Sequence, residues 1–166
     1  MKQYAVLVDE DRCVGCQACE VACKQENSLP AGLKWRTVIS SIQEVDGKLV
    51  MSFPHIRCMH CANPPCVPSC PTNAITKRAD GIVLIDSEPC IGCMVCIEVC
   101  PFGAPQLNPD KGVVGMCTLC VHRIERGLEP ACVEHCPAEA LVFGDINDVT
   151  SMLSKRRAQL VAARRA

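Results

Sequence analysis

Sixteen cysteines fall into four groups of four, and none lies outside a group. The first is Cys13, Cys16, Cys19 and Cys23, and the second is Cys58, Cys61, Cys66 and Cys70. The third is Cys90, Cys93, Cys96 and Cys100, and the fourth is Cys117, Cys120, Cys132 and Cys136. Groups one and three share the spacing C-x2-C-x2-C-x3-C; the others read C-x2-C-x4-C-x3-C and C-x2-C-x11-C-x3-C. Proline follows the last cysteine of three groups, at Pro71, Pro101 and Pro137. Any fold must gather these thiols, as disulfides or as metal ligands.

Composition makes the gathering essential. A chain of 166 residues suits one domain or two very small ones. Its aromatics are only Trp35, Tyr4, Phe53, Phe102 and Phe143. The apolar share of 49% counts every cysteine, so ordinary side chains leave a thin core. Something tied to the thiols must supply cohesion. No run of eighteen apolar residues occurs, so no membrane insertion is expected. The first residues turn acidic too soon for a signal peptide, and no twin-arginine pair is near. A net charge of −1 gives no footprint for nucleic acid. The expectation is a cytoplasmic chain whose thiols stay reduced, which favours metal over disulfides.

The C-x2-C-x2-C-x3-C-P run is the bacterial ferredoxin signature. A short loop with thiols three residues apart can curl round one iron–sulfur cube and reach three of its corners. The fourth cysteine, carried onto a following helix, is directed to another cube. Sixteen thiolates at four per cube give four [4Fe–4S] clusters. A zinc-binding interaction module is the remote alternative, since zinc ribbons place ligands in twos with a long spacer. Disulfides fit the count but not the compartment.

Internal repeats set the organisation. Val6-Leu7-Val8-Asp9 and Cys13-Val14-Gly15-Cys16 match Val83-Leu84-Ile85-Asp86 and Cys90-Ile91-Gly92-Cys93. Pro71-Thr72-Asn73-Ala74-Ile75 matches Pro137-Ala138-Glu139-Ala140-Leu141, and Pro101-Phe102-Gly103-Ala104 keeps the first part. Hairpins are expected at Asp46-Gly47, between Trp35–Ile42 and Lys48–Phe53, and at Asp80-Gly81, between Ile75–Thr76 and Ile82–Ile85. Leu141–Gly144 reads as a final strand. Short helices are expected around Glu20–Gln25, Val67–Cys70, Ile97–Cys100 and Ala131–Cys136. A longer one runs from Val149 to about Ala163 with Asp148 as N-cap.

The sequence resembles the four-cluster ferredoxin-type electron-transfer (beta) subunits of molybdenum and tungsten pterin oxidoreductases, such as those of dimethyl sulfoxide reductase, formate dehydrogenase, polysulfide reductase and nitrate reductase. Ala22-Cys23-Lys24-Gln25-Glu26-Asn27 with Pro30, Gly32 and Trp35 carry the likeness. So do Cys58-Met59-His60-Cys61 with Pro64-Pro65-Cys66, and Cys117-Thr118-Leu119-Cys120 with Gly127-Leu128-Glu129-Pro130-Ala131-Cys132. The resemblance implies a ligand scheme. Cys13, Cys16, Cys19 and Cys136 share one cube, and Cys117, Cys120, Cys132 and Cys23 a second. Cys58, Cys61, Cys66 and Cys100 share a third, and Cys90, Cys93, Cys96 and Cys70 a fourth. It also implies an α+β fold of two nested ferredoxin-like halves plus a C-terminal helix. The outer half is residues 1–50 with 112–148, the inner half 51–111, and the tail 149–166. Residue spacing alone says only that fourth ligands cross over, not which groups pair.

No phosphate loop, nucleophile elbow or HExxH motif occurs, so no catalytic residue is expected. The chain then reads as a conductor wiring a molybdenum- or tungsten-pterin catalytic subunit to a further redox subunit, flavin/NAD-linked or a ferredoxin. Its size fits a formate dehydrogenase, hydrogen-dependent CO2 reductase or tungsten aldehyde oxidoreductase complex, and compactness leans slightly toward the last. The alternative is a free-standing polyferredoxin carrier. His55, His60, His122 and His135 read as hydrogen-bonding or solvent-facing, and Trp35 as packing over a cluster. Lys24, Arg57 and Arg123 read as solvated, with the alternative that any of them offsets cluster charge and raises a potential. The tail holds Lys155, Arg156, Arg157, Arg164 and Arg165 and no acid, which leaves the rest of the chain at −6. Val149, Met152, Leu153 and Leu160 recur there at helical spacing, so the tail is a candidate for docking or self-association.

Overall fold

The structure is a computed structural model that describes residues 2–163; Arg164 and Arg165 lie outside them. Its described strands form five two-stranded antiparallel sheets, joined by short helices and cysteine-bearing loops. The fold is therefore α+β. β1 (Tyr4–Val8) pairs with β10 (Leu141–Asp145), so the two ends of the chain close on each other. Tyr4 stacks on Phe143, its diagonal neighbour across the pair, with ring centroids 5.1 Å apart.

The Asp-Gly turns form as expected. Asp46 (φ 50°) and Gly47 (φ 72°) are both left-handed, which suits the tight turn between β3 (Ser41–Val45) and β4 (Lys48–Ser52). The expected strand over Trp35–Ile42 is broken, however. Its first part is β2 (Arg36–Val38), which pairs with β5 (His55–Arg57) instead of β4. β6 (Ile75–Lys77) pairs with β7 (Val83–Ile85) across Asp80-Gly81, where the Asp80 carboxylate accepts the Ile82 amide at 3.2 Å. β8 (Gln106–Asn108) and β9 (Val113–Gly115) form a further pair outside the expected strands.

α1 (Ala18–Glu26), α2 (Val95–Glu98) and α3 (Val121–Ile124) each start after a left-handed residue: Gln17, Met94 and Cys120. α2 lies about half a turn earlier than expected, and α3 is a turn with no counterpart among the expected helices. α4 (Ala131–Glu134) stops before Cys136. Val67–Cys70 is not helical but a run of turns. Pro68 removes an amide in the middle of it, and the bonds that remain are i to i+3, Val67 to Pro64 and Cys70 to Val67. α5 (Ile146–Ala163) starts three residues earlier than expected, and its cap is Asp145, not Asp148. The Asp145 carboxylate accepts the Asn147 amide at 3.0 Å. No helix among the described residues is long and apolar enough to cross a membrane.

Two buried clusters form the main interior, and thiols lie at the heart of both. One gathers Cys58, Cys66 and Cys96 with Ile75, Val83, Ala104, Val114 and Met116. The other gathers Cys19 and Cys132 with Val6, Val38 and Leu141. Small aliphatics and sulfur thus stand where a chain of this length would ordinarily place aromatics.

Candidate metal centres

The repeats build the loops. Gly15 (φ 66°) and Gly92 (φ 64°) sit between thiols at equivalent positions, and Gln17 and Met94 follow with φ of 60° and 63°. A Cβ on Gly92 would lie 2.2 Å from the Gly112 carbonyl oxygen, so only glycine passes there. After the last thiol of groups two, three and four, the chain turns in one way. The amide of Asn73, Gly103 or Glu139 donates to the carbonyl of Cys70, Cys100 or Cys136, at 3.3, 3.1 and 3.0 Å. All three residues are left-handed, and the alanine after each is buried: Ala74, Ala104 and Ala140. That alanine seats the next strand against the thiol loops.

All sixteen cysteines are free thiols. Four cavities of similar size are each lined by four of them. The first, of about 320 Å³, brings Cys13, Cys16 and Cys19 to Cys136. The second, of about 370 Å³, brings Cys117, Cys120 and Cys132 to Cys23. The third, of about 350 Å³, brings Cys58, Cys61 and Cys66 to Cys100. The fourth, of about 310 Å³, brings Cys90, Cys93 and Cys96 to Cys70. Every cavity takes three thiols from one group and one from a distant group. No three His, Cys, Asp or Glu side chains among the described residues converge as ligands of one metal ion would. Four thiols lining one cavity are the ligand number that a [4Fe–4S] cube takes.

Burial holds many of the thiols protonated until a group takes them as thiolates. Burial pushes the Cys19, Cys96 and Cys120 thiols up to about 11 and Cys58 to about 12, and raises Cys23, Cys66 and Cys132 as well. At Cys70 burial also pushes upward, but the Thr72 hydroxyl and the Thr72, Ala74 and Ile75 amides outweigh it. Neutral thiols held in apolar walls give up their protons when iron takes them as thiolates. Backbone amides already point at sulfur. His60 donates to Cys58 Sγ at 3.4 Å, Val114 to Cys90 Sγ at 3.4 Å, Leu119 to Cys117 Sγ at 3.4 Å, and Ala140 to Cys136 Sγ at 3.3 Å. Such bonds stabilise negative sulfur and tune the potential of a bound cluster.

The other residues singled out from the sequence divide. Arg36 Nη1 donates to His55 Nδ1 at 2.8 Å, so the ring proton is on Nε2, which faces Cys13 Sγ at 3.4 Å. Burial, with Arg36 beside it, pushes the His55 ring down to about 4. The buried His60 accepts the Val83 amide on Nδ1 at 3.0 Å. His122 pairs with Glu26 at 2.7 Å, and His135 Nδ1 lies 2.9 Å from the Ala131 carbonyl. Trp35 packs on Gly115 beside Cys117, along a larger cavity of about 770 Å³. The basic residues correct the expectation of solvation. Arg57 is buried, and Lys24 Nζ donates to the Pro30 carbonyl at 2.7 Å. Arg123 is held by Glu26 and Glu134. Arg36, equally buried, carried no signal in the sequence beyond its place after Trp35.

These features define a cluster-binding protein of the ferredoxin type, and comparison with known proteins agrees. Residues 49–146 match the 4Fe-4S dicluster domain, and residues 4–25 match a 4Fe-4S binding domain. The chain is 43% identical to a tetrathionate reductase subunit of Salmonella typhimurium, an alignment covering 93% of this chain and 64% of that protein. It is 43% identical to the thiosulfate reductase electron transfer subunit of Salmonella typhi, over 88% and 78%. It is 39% identical to one of the chains of the anaerobic dimethyl sulfoxide reductase of Escherichia coli, over 96% and 80%. The protein belongs to this family of iron–sulfur electron-transfer subunits. Its cofactors are [4Fe–4S] clusters, and sixteen thiols in four groups of four suit four of them.

Proposed function

We propose that each four-thiol cavity holds one [4Fe–4S] cluster and that the chain conducts electrons along the four. The observation that carries the reading is the continuity of the thiol groups. Cys19, Cys132 and Cys136 share one buried cluster, which joins the first and second cavities. Cys117 packs against the buried cluster that holds Cys58, Cys66 and Cys96, which joins the second cavity to the third and fourth. Cys16 and Cys93, equivalent positions of the repeat, are exposed. They lie at the first and fourth cavities, where electrons would enter and leave. When bound, each cluster accepts and returns one electron. The protein walls exclude water and hold the thiols in place.

The nested arrangement of halves is part of the same proposal. The pairing of β1 with β10 supports an outer half that closes around an inner one. The pairs β2–β5 and β8–β9 straddle the two joins expected near residues 50 and 111, so the halves share strands at their seams.

The proposed partner is a molybdenum- or tungsten-pterin catalytic subunit, with a flavin/NAD-linked subunit or a ferredoxin at the far end. The relatives named above belong to tetrathionate, thiosulfate and dimethyl sulfoxide reductases. They shift the preferred catalytic partner from an aldehyde oxidoreductase to a reductase of sulfur oxyanions or sulfoxides. The second half of α5, with Leu160 and Val161 exposed, is a candidate for contact with a partner or a second copy. Purification from the source under anaerobic conditions, with iron, molybdenum and tungsten analysis, tests the reading. About four irons per cavity and a co-purifying pterin subunit are expected. A monomer free of any pterin subunit would favour a diffusing carrier instead.

A further inference from the structure

Two arginines are buried side by side at one of the four cavities. Arg36 is 2% exposed and Arg57 is 4% exposed, and both line the second cavity with Cys23, Cys117, Cys120 and Cys132. No Lys, Arg, Asp or Glu among the described residues lines the first, third or fourth cavity. The ion pairs among the described residues involve Arg12, Lys34, Arg78, His122, Arg123, His135 and Arg156, and neither Arg36 nor Arg57 joins one. The nearby buried carboxylate, Glu20, is committed to Lys34 Nζ at 2.7 Å and to the Val38 amide. Arg57 spends its donors on the Cys58 and Val6 carbonyls, which are neutral. Two buried guanidiniums without a carboxylate are strongly unfavourable unless an anion faces them. The four thiolates of the second cavity and the cluster they hold would be that anion.

From this placement we infer that Arg36 and Arg57 are positioning residues that set the potential of the second cluster and make it the first of the four to be reduced. Added negative charge is stabilised most where fixed positive charge is closest and water is excluded. Arg36 also reaches the first cavity through His55, whose Nε2 faces Cys13 Sγ. Arg57 touches the carbonyl of Cys58, a thiol of the third cavity. The second cluster is therefore an electron well between its two neighbours.

The inference rests on the reading of the cavities as cluster sites, and iron content tests that reading separately. The experiment is a redox titration of the holoprotein followed by electron paramagnetic resonance. Arg57→Met marks the second cluster, because it displaces that cluster's signal while every thiol stays in place. The first signal to develop on reduction of the unaltered protein should be the one that Arg57→Met displaces; if another cluster reduces first, the inference falls. In Arg57→Met with full iron content, reduction of that cluster should become at least tenfold less favourable, a drop of 59 mV for a one-electron couple. The fourth cluster should not move, and Arg57→Lys should recover most of the shift. A Lys variant displaced as far as the Met variant would leave a packing effect and overturn the role of charge. If Arg57→Met does not fold, Arg57→Gln, which keeps a polar side chain without the charge, gives the same reading, and an unmoved first signal there overturns the inference.

Discussion

Replacing Gly92 by alanine should release one cluster and leave the other three. Two terms act at this position. The left-handed backbone at φ 64° costs an alanine about 1–2 kcal/mol. The new Cβ would stand 2.2 Å from the Gly112 carbonyl oxygen, where about 3.3 Å is the closest ordinary approach. That oxygen has little room to swing aside, because Gly112 is held in the turn between β8 and β9, where its amide donates to the Asn108 carbonyl at 2.9 Å. Forcing such contacts apart costs about 1–3 kcal/mol more. Gly127 supplies the control, since it has φ 75° and nothing within 4 Å of its Cβ position. Gly127→Ala should show the backbone term alone. The excess of about 1–3 kcal/mol at Gly92 corresponds to roughly 5–150-fold in the population of the opened loop. The assay is anaerobic bleaching of the visible absorption by an iron chelator. Gly92→Ala should add a fast phase worth about a quarter of the iron, with a rate raised by that factor over Gly127→Ala. Equal rates in the two variants, or loss of all clusters together, would refute the reasoning.

Three further outcomes are expected. Val149 is the buried anchor of α5 among the described residues, so Val149→Ala should loosen that helix by about 2 kcal/mol. Proteolysis at Arg156 and Arg157 should quicken with iron content unchanged; concurrent iron loss would contradict it. The Glu26 carboxylate is held below its usual range by its hydrogen bond to His122 and by Arg123, against the opposing effect of burial. Its tie to α3 is therefore present above about pH 5 and is lost as pH falls through the depressed folded value. The stability gap between wild type and Glu26→Gln, about 1 kcal/mol or less by hydrogen exchange in α3, should close in acid. Stripping iron should unfold the protein outright, because thiols stand inside both main buried clusters. Native circular dichroism retained after chelation would count against this.

Much of the site is legible in the sequence because its chemistry is local. Three thiols of each cavity come from one short stretch, and Gly15 and Gly92 announce the backbone those stretches require. The Asp-Gly pairs mark two turns for the same reason. Long-range choices are harder to read. Nothing in Arg36-Thr37-Val38 says that it pairs with His55-Ile56-Arg57 and not with the neighbouring hairpin. The helix expected at Val67–Cys70 fails because Pro68 outweighs the position of the thiol. The cap of α5 is ambiguous in the sequence because Asp145 and Asp148 are equal candidates until the end of β10 is known. Arg57 misleads because charge alone suggests solvent, whereas its β5 position turns it inward. Buried charge is visible only once the anion that needs it has a place.

The closing of β1 on β10 has a consequence for how the protein is made. Chains emerge from the ribosome with the N-terminus first. The thiols lining the third and fourth cavities have all appeared once Cys100 is out. The first and second cavities wait for Cys136 and Cys132, although Cys13, Cys16, Cys19 and Cys23 are the earliest thiols to emerge. The oldest cysteines of a nascent chain are thus the last to be enclosed. With the cavities read as cluster sites, iron delivery to the inner pair can accompany synthesis, while the outer pair waits for Cys132 and Cys136 to emerge and turn back to the earliest thiols.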